Sequence, residues 1–123
     1  PVIAKLELEA DAIISVNILN QLDILLVDYL KEKYSCFAEA QYTSFRKSIQ
    51  QFHLDWITKK PGCLITDILE ENYKDNKLRS FYDLLHVELP EYKRSDSWIW
   101  DFDLSGFYHR ELQTKMKVIA VEW

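Results

Sequence analysis

The apolar residues of this chain change their spacing twice along its length, and that change limits the folds open to it. From Val2 to Glu9 the residues Val2, Ala4, Leu6 and Leu8 alternate with Ile3, Lys5, Glu7 and Glu9. Period two predicts a strand with one buried face. From Val16 to Tyr34, Ile18, Leu19, Leu22, Leu25, Leu26, Tyr29 and Leu30 follow helical spacing, with Asp11 or Ser15 as its cap. Phe45, Ile49, Phe52 and Trp56 step by four, three and four, which stacks them on one stripe of a second helix. Thr43 or Ser44 would cap that helix and Pro61-Gly62 would stop it. Cys36 to Gln41 either extends it or forms its own turn.

Leu64–Tyr73 and Leu78–Leu85 read as two shorter helices, broken at Lys74-Asp75-Asn76, with Asp75 or Asn76 capping the second. Pro90 closes the helical region, and Glu91–Ser97 is a polar loop. Period two then returns. Trp98, Trp100, Phe102 and Leu104 alternate with Ile99, Asp101 and Asp103, Ser105-Gly106 can turn the chain, and Phe107–Leu112 and Met116–Trp123 read as two further strands. Strands at both ends must share one sheet if residues 1–123 form one domain. The expected fold is therefore α+β: an N-terminal strand, about four helices, and a C-terminal antiparallel meander. It would complete a three- or four-stranded sheet with helices on one face.

Composition narrows the function. A chain of 123 residues with 48% apolar and 14% aromatic residues can build a core without metals or disulfides. Its net charge of −5 argues against nucleic acid, whose phosphates need clustered Lys and Arg. Acidity favours solubility or a basic partner. No apolar run reaches the ~18 residues of a membrane span. No targeting segment is legible, so the expected home is cytoplasmic, and Cys36 and Cys63 are expected to be reduced and buried.

Chemistry-bearing patterns are sparse. His53, His86 and His109 lack ligand-spaced partners, so no metal or cofactor is expected. A zinc site from Cys36, Cys63 and a histidine would need long-range convergence. Two glycines cannot readily build a phosphate cradle from backbone amides. Asp101 and Asp103, two apart on a strand, share a face and could act as an acid–base pair. With Glu91 and Asp96 they also make an acidic patch beside large aromatics, suited to a basic protein. The Trp98–Trp100–Phe102 stripe itself reads as a buried sheet face.

Two resemblances bear on function. Pro1-Val2-Ile3-Ala4-Lys5-Leu6 followed by a helix resembles the start of the tautomerase superfamily, which implies Pro1 as general base. A small, acidic, aromatic-rich chain of this kind also resembles small bacterial immunity proteins, including those of contact-dependent inhibition systems. Leu89-Pro90-Glu91-Tyr92 followed by Trp98 and Asp101 is similar to part of the barstar pattern. The likeness to immunity proteins implies a non-enzymatic inhibitor of a basic toxin, such as a nuclease; no site is carried over from barstar, and the acidic patch of Glu91, Asp96, Asp101 and Asp103 is the expected binding face. A small-ligand domain with an apolar pocket between helices and sheet is the remaining alternative.

Overall fold

A computed structural model describes residues 9–34 and 37–123. The predicted strand at the N-terminus, Pro1 with its tautomerase reading, and Cys36 lie outside the described residues. The chain runs β1 (Ile13–Val16), α1 (Gln21–Lys33), α2 (Glu39–Ile57), β2 (Gly62–Lys74), β3 (Lys77–Asp83), β4 (Arg94–Asp103) and β5 (Gln113–Glu122). The α+β class agrees with expectation, but the count of about four helices does not. Among the described residues there are two helices and a five-stranded mixed sheet of order β1-β2-β5-β4, with β3 also on β2.

The two segments expected as short helices form the β2–β3 hairpin. Ile65, Thr66 and Ile68 are β-branched and suit a strand flanked on both sides. Asp75 and Asn76 both take positive φ, 53° and 59°. That is the geometry of a two-residue hairpin turn, which Asp and Asn tolerate better than other side-chain-bearing residues. The break between helices was therefore a strand reversal. Phe107–Leu112, expected as a strand, forms only an isolated bridge between His109 and Leu112. β4 starts at Arg94, inside the stretch expected as a loop.

β2 is the spine. One side pairs with β5 from Cys63 to Tyr73. The other is shared: β1 runs parallel along Gly62–Ile65, and β3 runs antiparallel along Leu69–Lys74. Between them the chain fills the gap. Asn17 N–H donates to Ile65 O at 2.8 Å, the Asn20 amide to Asp67 O, and Leu84 N–H to Ile68 O at 3.1 Å. The backbone carbonyls along this edge thus find donors although no single strand spans it. Asn17, at φ 52°, makes the sharp exit from β1.

The main core lies between α2 and one face of the sheet, where Leu19, Leu54, Ile57, Leu64 and Val121 cluster. Leu85, Val87 and Leu89, on the segment crossing from β3 to β4, pack against it. Gln50 fixes that crossing to α2. Its amide donates to Leu84 O at 2.9 Å and accepts the His86 N–H at 2.8 Å. The buried stripe of α2 is Tyr42, Gln50, His53, Leu54 and Ile57, one position off the predicted Phe45–Ile49–Phe52–Trp56 stripe. Ser15, expected as a helix cap, instead meets buried His53 Nε2 at 2.8 Å and ties β1 to α2. α1 packs against α2, with Arg46 Nε 3.2 Å from Asp23 Oδ2.

Gly62 is required by close approach. A Cβ there would collide with Ile13 O and lie 2.8 Å from the Trp123 ring. Gly62→Ala should therefore pry β1 from β2 and cost about 2 kcal/mol, as overpacking does. Urea denaturation would read the loss. Amide exchange should show β1 opening before the β2–β5 pair, and unchanged β1 protection would contradict this account.

Candidate functional site

β5 alternates with period two, and its side chains are buried on both faces. Val121 joins the α2 core, while Thr114, Met116 and Val118 are buried on the second face. β2 changes face in the middle. Asp67 pairs with Val118 and Leu69 with Lys117, so Ile68 is an extra residue, a β-bulge. Before it, Leu64 pairs with Val121 toward α2. After it, Glu70 pairs with Met116 and Asn72 with Thr114, on the second face.

That second face has a polar centre. The Glu70 side chain is 8% exposed. The Asn72 amide donates to Glu70 Oε1 at 2.8 Å, and His109 Nε2 meets the same oxygen at 2.8 Å. The Thr114 hydroxyl donates to Asn72 Oδ1 at 2.7 Å. Glu70, Asn72 and Thr114 thereby each have a partner, as burial demands, whereas Asp67, paired with Val118 on the same face, keeps a buried Oδ1 with no hydrogen bond among the described residues. Sequence reasoning did not find this group. Its two parts, Glu70–Asn72 and His109–Thr114, are distant in sequence, and only the fold brings them together.

An aromatic arch spans the same face. Trp100 meets Phe102, Phe102 meets Tyr108, and Tyr108 meets His109, with ring centroids 5.0, 5.0 and 4.5 Å apart, all edge-on. Met116 pairs with Trp100 on one side and with Glu70 on the other. The arch therefore runs from β4 over Met116 to β2, and its far foot is the His109–Glu70 contact. Burial, with the carboxylates of Glu70, Asp28 and Asp67, pushes the Tyr108 hydroxyl pKa up and keeps it protonated.

Asp103 shapes the loop that carries the arch. Its carboxylate accepts Ser105 N–H at 2.8 Å, Ser105 Oγ–H at 2.6 Å and Tyr108 N–H at 2.6 Å. The Ser105 hydroxyl, then the Tyr108 amide, hold its pKa down at about 2. Asp101 pairs with Lys115 and Asp103 with Thr114, consecutive residues of β5, because Phe102 is bulged. The two carboxylates thus fall on opposite faces, and the expected same-face pair does not form. Asp101 sits 3.0 Å from Lys115. Asp96 lies on the Trp98–Trp100 face of β4 and Glu91 just before the strand, both exposed.

The Trp stripe is not buried as expected. Trp98, Trp100 and Phe102 are 43%, 42% and 37% exposed, and Ile99 is 54% exposed. Their strand is at the end of the sheet, so neighbours cover them from one side only. Elsewhere the sites are modest. Burial pushes the imidazole pKa of His53 down, and that of His86 too with help from Arg46. Among the described residues no His, Cys, Asp or Glu group is arranged to hold a metal, and no helix is long and apolar enough to cross a membrane. Cys63 is a free, half-buried thiol. A cavity of about 370 Å³ lies between the β2–β3 turn and the loop, lined by groups such as Lys74, Asn76, Ser105 and Glu111. It is polar and open. Comparison with protein-family models, with curated proteins and with solved structures returned no match.

His109→Ala would leave buried Glu70 short of a partner. It should cost about 1–3 kcal/mol in urea unfolding and shift tryptophan emission as the arch opens over Trp100. Emission unchanged at equal stability would show that the arch does not rest on this foot. The Asp103 interactions predict a pH dependence. The depressed folded pKa means the loop is fully stabilised above ~4 and loses that stabilisation as the pH falls through about 2. In NMR the Tyr108 amide should titrate in that window, and in Asp103→Ala the transition should vanish.

Proposed function

We propose that this chain is a non-enzymatic protein-binding inhibitor, an immunity protein that neutralises a basic toxin domain by covering the surface its substrate uses. The observation that carries the reading is the exposed strand β4, where Trp98, Ile99 and Trp100 stand half-exposed between Asp96 and Asp101, with Phe102 just beyond. Aromatic side chains supply most of the binding energy at protein interfaces when a partner desolvates them. Flanking charge steers the encounter and selects the sign of the partner. The net charge of −5 acts in the same direction over longer range.

The anchoring beneath the strand supports the same reading. Trp100 and Phe102 are held by ring contacts to Tyr108 and through it to the Glu70 centre. A binding face whose rotamers are already fixed loses less entropy on association. The four acidic residues of the expected patch do not contribute alike. Asp96 and Asp101 flank the aromatics, Glu91 lies beyond the start of β4, and Asp103 is committed to its own loop. A nuclease toxin would be blocked because carboxylates and aromatics occupy the Lys- and Arg-rich surface that phosphates otherwise take.

The test is co-expression with the product of the adjacent reading frame. A stable complex and restored growth are expected, with association slowing as salt is raised. Trp98→Ala/Trp100→Ala and Asp96→Asn/Asp101→Asn should each weaken the complex about tenfold or more. Glu91→Gln should change it little. Full neutralisation by both double variants would move the binding face away from β4. Failure of the unaltered chain to protect would refute the inhibitor reading.

A further inference from the structure

We propose that β4 receives its partner by strand addition: an extended basic segment of the bound protein pairs with the outer edge of β4 and lengthens the sheet. This rests on the binding role proposed for β4 and states how its backbone and side chains divide the work.

β4 ends the sheet, and among the described residues only β5 pairs with it. Every second residue of such a strand turns its N–H and C=O outward, a template for another chain. From Arg94 to Asp101 the register with β5 is unbroken, and the first irregularity falls between Asp101 and Asp103. Eight regular residues offer ~26 Å of edge. Protective devices are few within it. No proline and no lysine occurs between Arg94 and Asp101, and the apolar run Trp98-Ile99-Trp100 occupies the middle.

A second copy of this chain fits that edge poorly. A two-fold axis perpendicular to the sheet keeps faces matched, so a residue can only oppose one of like parity. In the three such antiparallel registers centred on Ser97, Trp98 or Ile99, Asp96 falls opposite Trp98, Trp100 or Phe102 of the other copy. Each sets a carboxylate against an aromatic ring and leaves it without a cation, a costly arrangement once water is excluded. A basic strand avoids this. Opposite Asp96 and Asp101 it would carry Lys or Arg, five residues apart and therefore on opposite faces. Between them it would carry apolar residues facing Trp98 and Trp100 on one side and Ile99 on the other. Read antiparallel, that is basic, three apolar, polar, basic. Side chains set the sequence preference, and the backbone ladder supplies affinity.

The test titrates the full chain with a synthetic peptide of core Lys-Val-Val-Val-Thr-Lys, followed by NMR and amide exchange. Binding should protect alternate β4 amides. Two versions, N-methylated at odd or at even core positions, separate ladder from side-chain contact, since one set of N–H groups faces β4 and the other faces solvent. One version should bind at least about tenfold more weakly, the other as the parent does, and replacing both Lys by Glu should also cost about tenfold. Equal binding by both methylated versions, or no binding by the parent, would overturn strand addition. Equal binding of the Glu peptide would overturn the basic partner. A dimer of the chain alone with β4 amides protected would put a second copy there instead. These results separate from the toxin assay: neutralisation with no peptide ladder leaves the inhibitor role intact without strand addition, and a ladder without neutralisation does the reverse.

Discussion

The rest of the structure depends on the extra residue in β2 at Ile68. It turns the second half of the strand over, so Leu64 faces α2 while Glu70 and Asn72 face the other way. β5, with no such shift along β2, is buried toward α2 at Val121 and toward the second face at Thr114, Met116 and Val118. A sheet of this size then has two places to bury side chains, and only one of them lies under a helix-packed core. The second must be closed by other means, and the chain closes it with polar chemistry and aromatic rings.

Burying a carboxylate and an amide imposes a strict condition, because an unmade hydrogen bond in a dry site costs about 1–3 kcal/mol. Glu70 and Asn72 meet it with Thr114 from β5 and His109 from the loop. Of these only His109 lies outside the strands. The need to satisfy Glu70 therefore reaches out and fixes the loop, and the loop brings Tyr108 against Phe102. Asp103 tightens the same loop from its other end by accepting three hydrogen bonds. The side chains of an end strand, which elsewhere are the least constrained of a sheet, are in this way tied to its buried centre.

How much of this was legible follows from the same feature. The long helix Glu39–Ile57 and the strands at 94–103 and 113–122 stand near where the spacing placed them, because each keeps one period over most of its length. β2 does not. Its buried positions are Leu64 and Thr66, then Glu70 and Asn72, so polar residues occupy the places where apolar ones would have marked the strand. Asp75-Asn76 compounded the error, since the same residue types cap helices and turn hairpins. The face of Asp101 and Asp103 was misjudged for a like reason: a bulge at Phe102 breaks the period on which the inference relied. β1, four residues long, is too short to announce a period. The Glu70 centre left no local trace, because strand pairing joins residues up to 42 apart.

The carboxylates on β4 are consistent with two roles at once. Charges on an edge strand discourage unplanned pairing between chains, and Asp96 and Asp101 bracket the most adhesive run of this one. Asp101 is held by Lys115, but both side chains are well exposed, 53% and 36%. Such an exposed pair contributes on the order of 0–1 kcal/mol and is easily redirected. A competing cation delivered next to Asp101 on a docked strand would therefore meet little resistance. A neutral or acidic strand would desolvate Asp96 without bringing it a cation, and would leave Asp101 only the cation it already has in Lys115. The feature that keeps the edge from sticking to copies of itself is the same one that would admit a basic strand, so protection and selectivity need no separate residues.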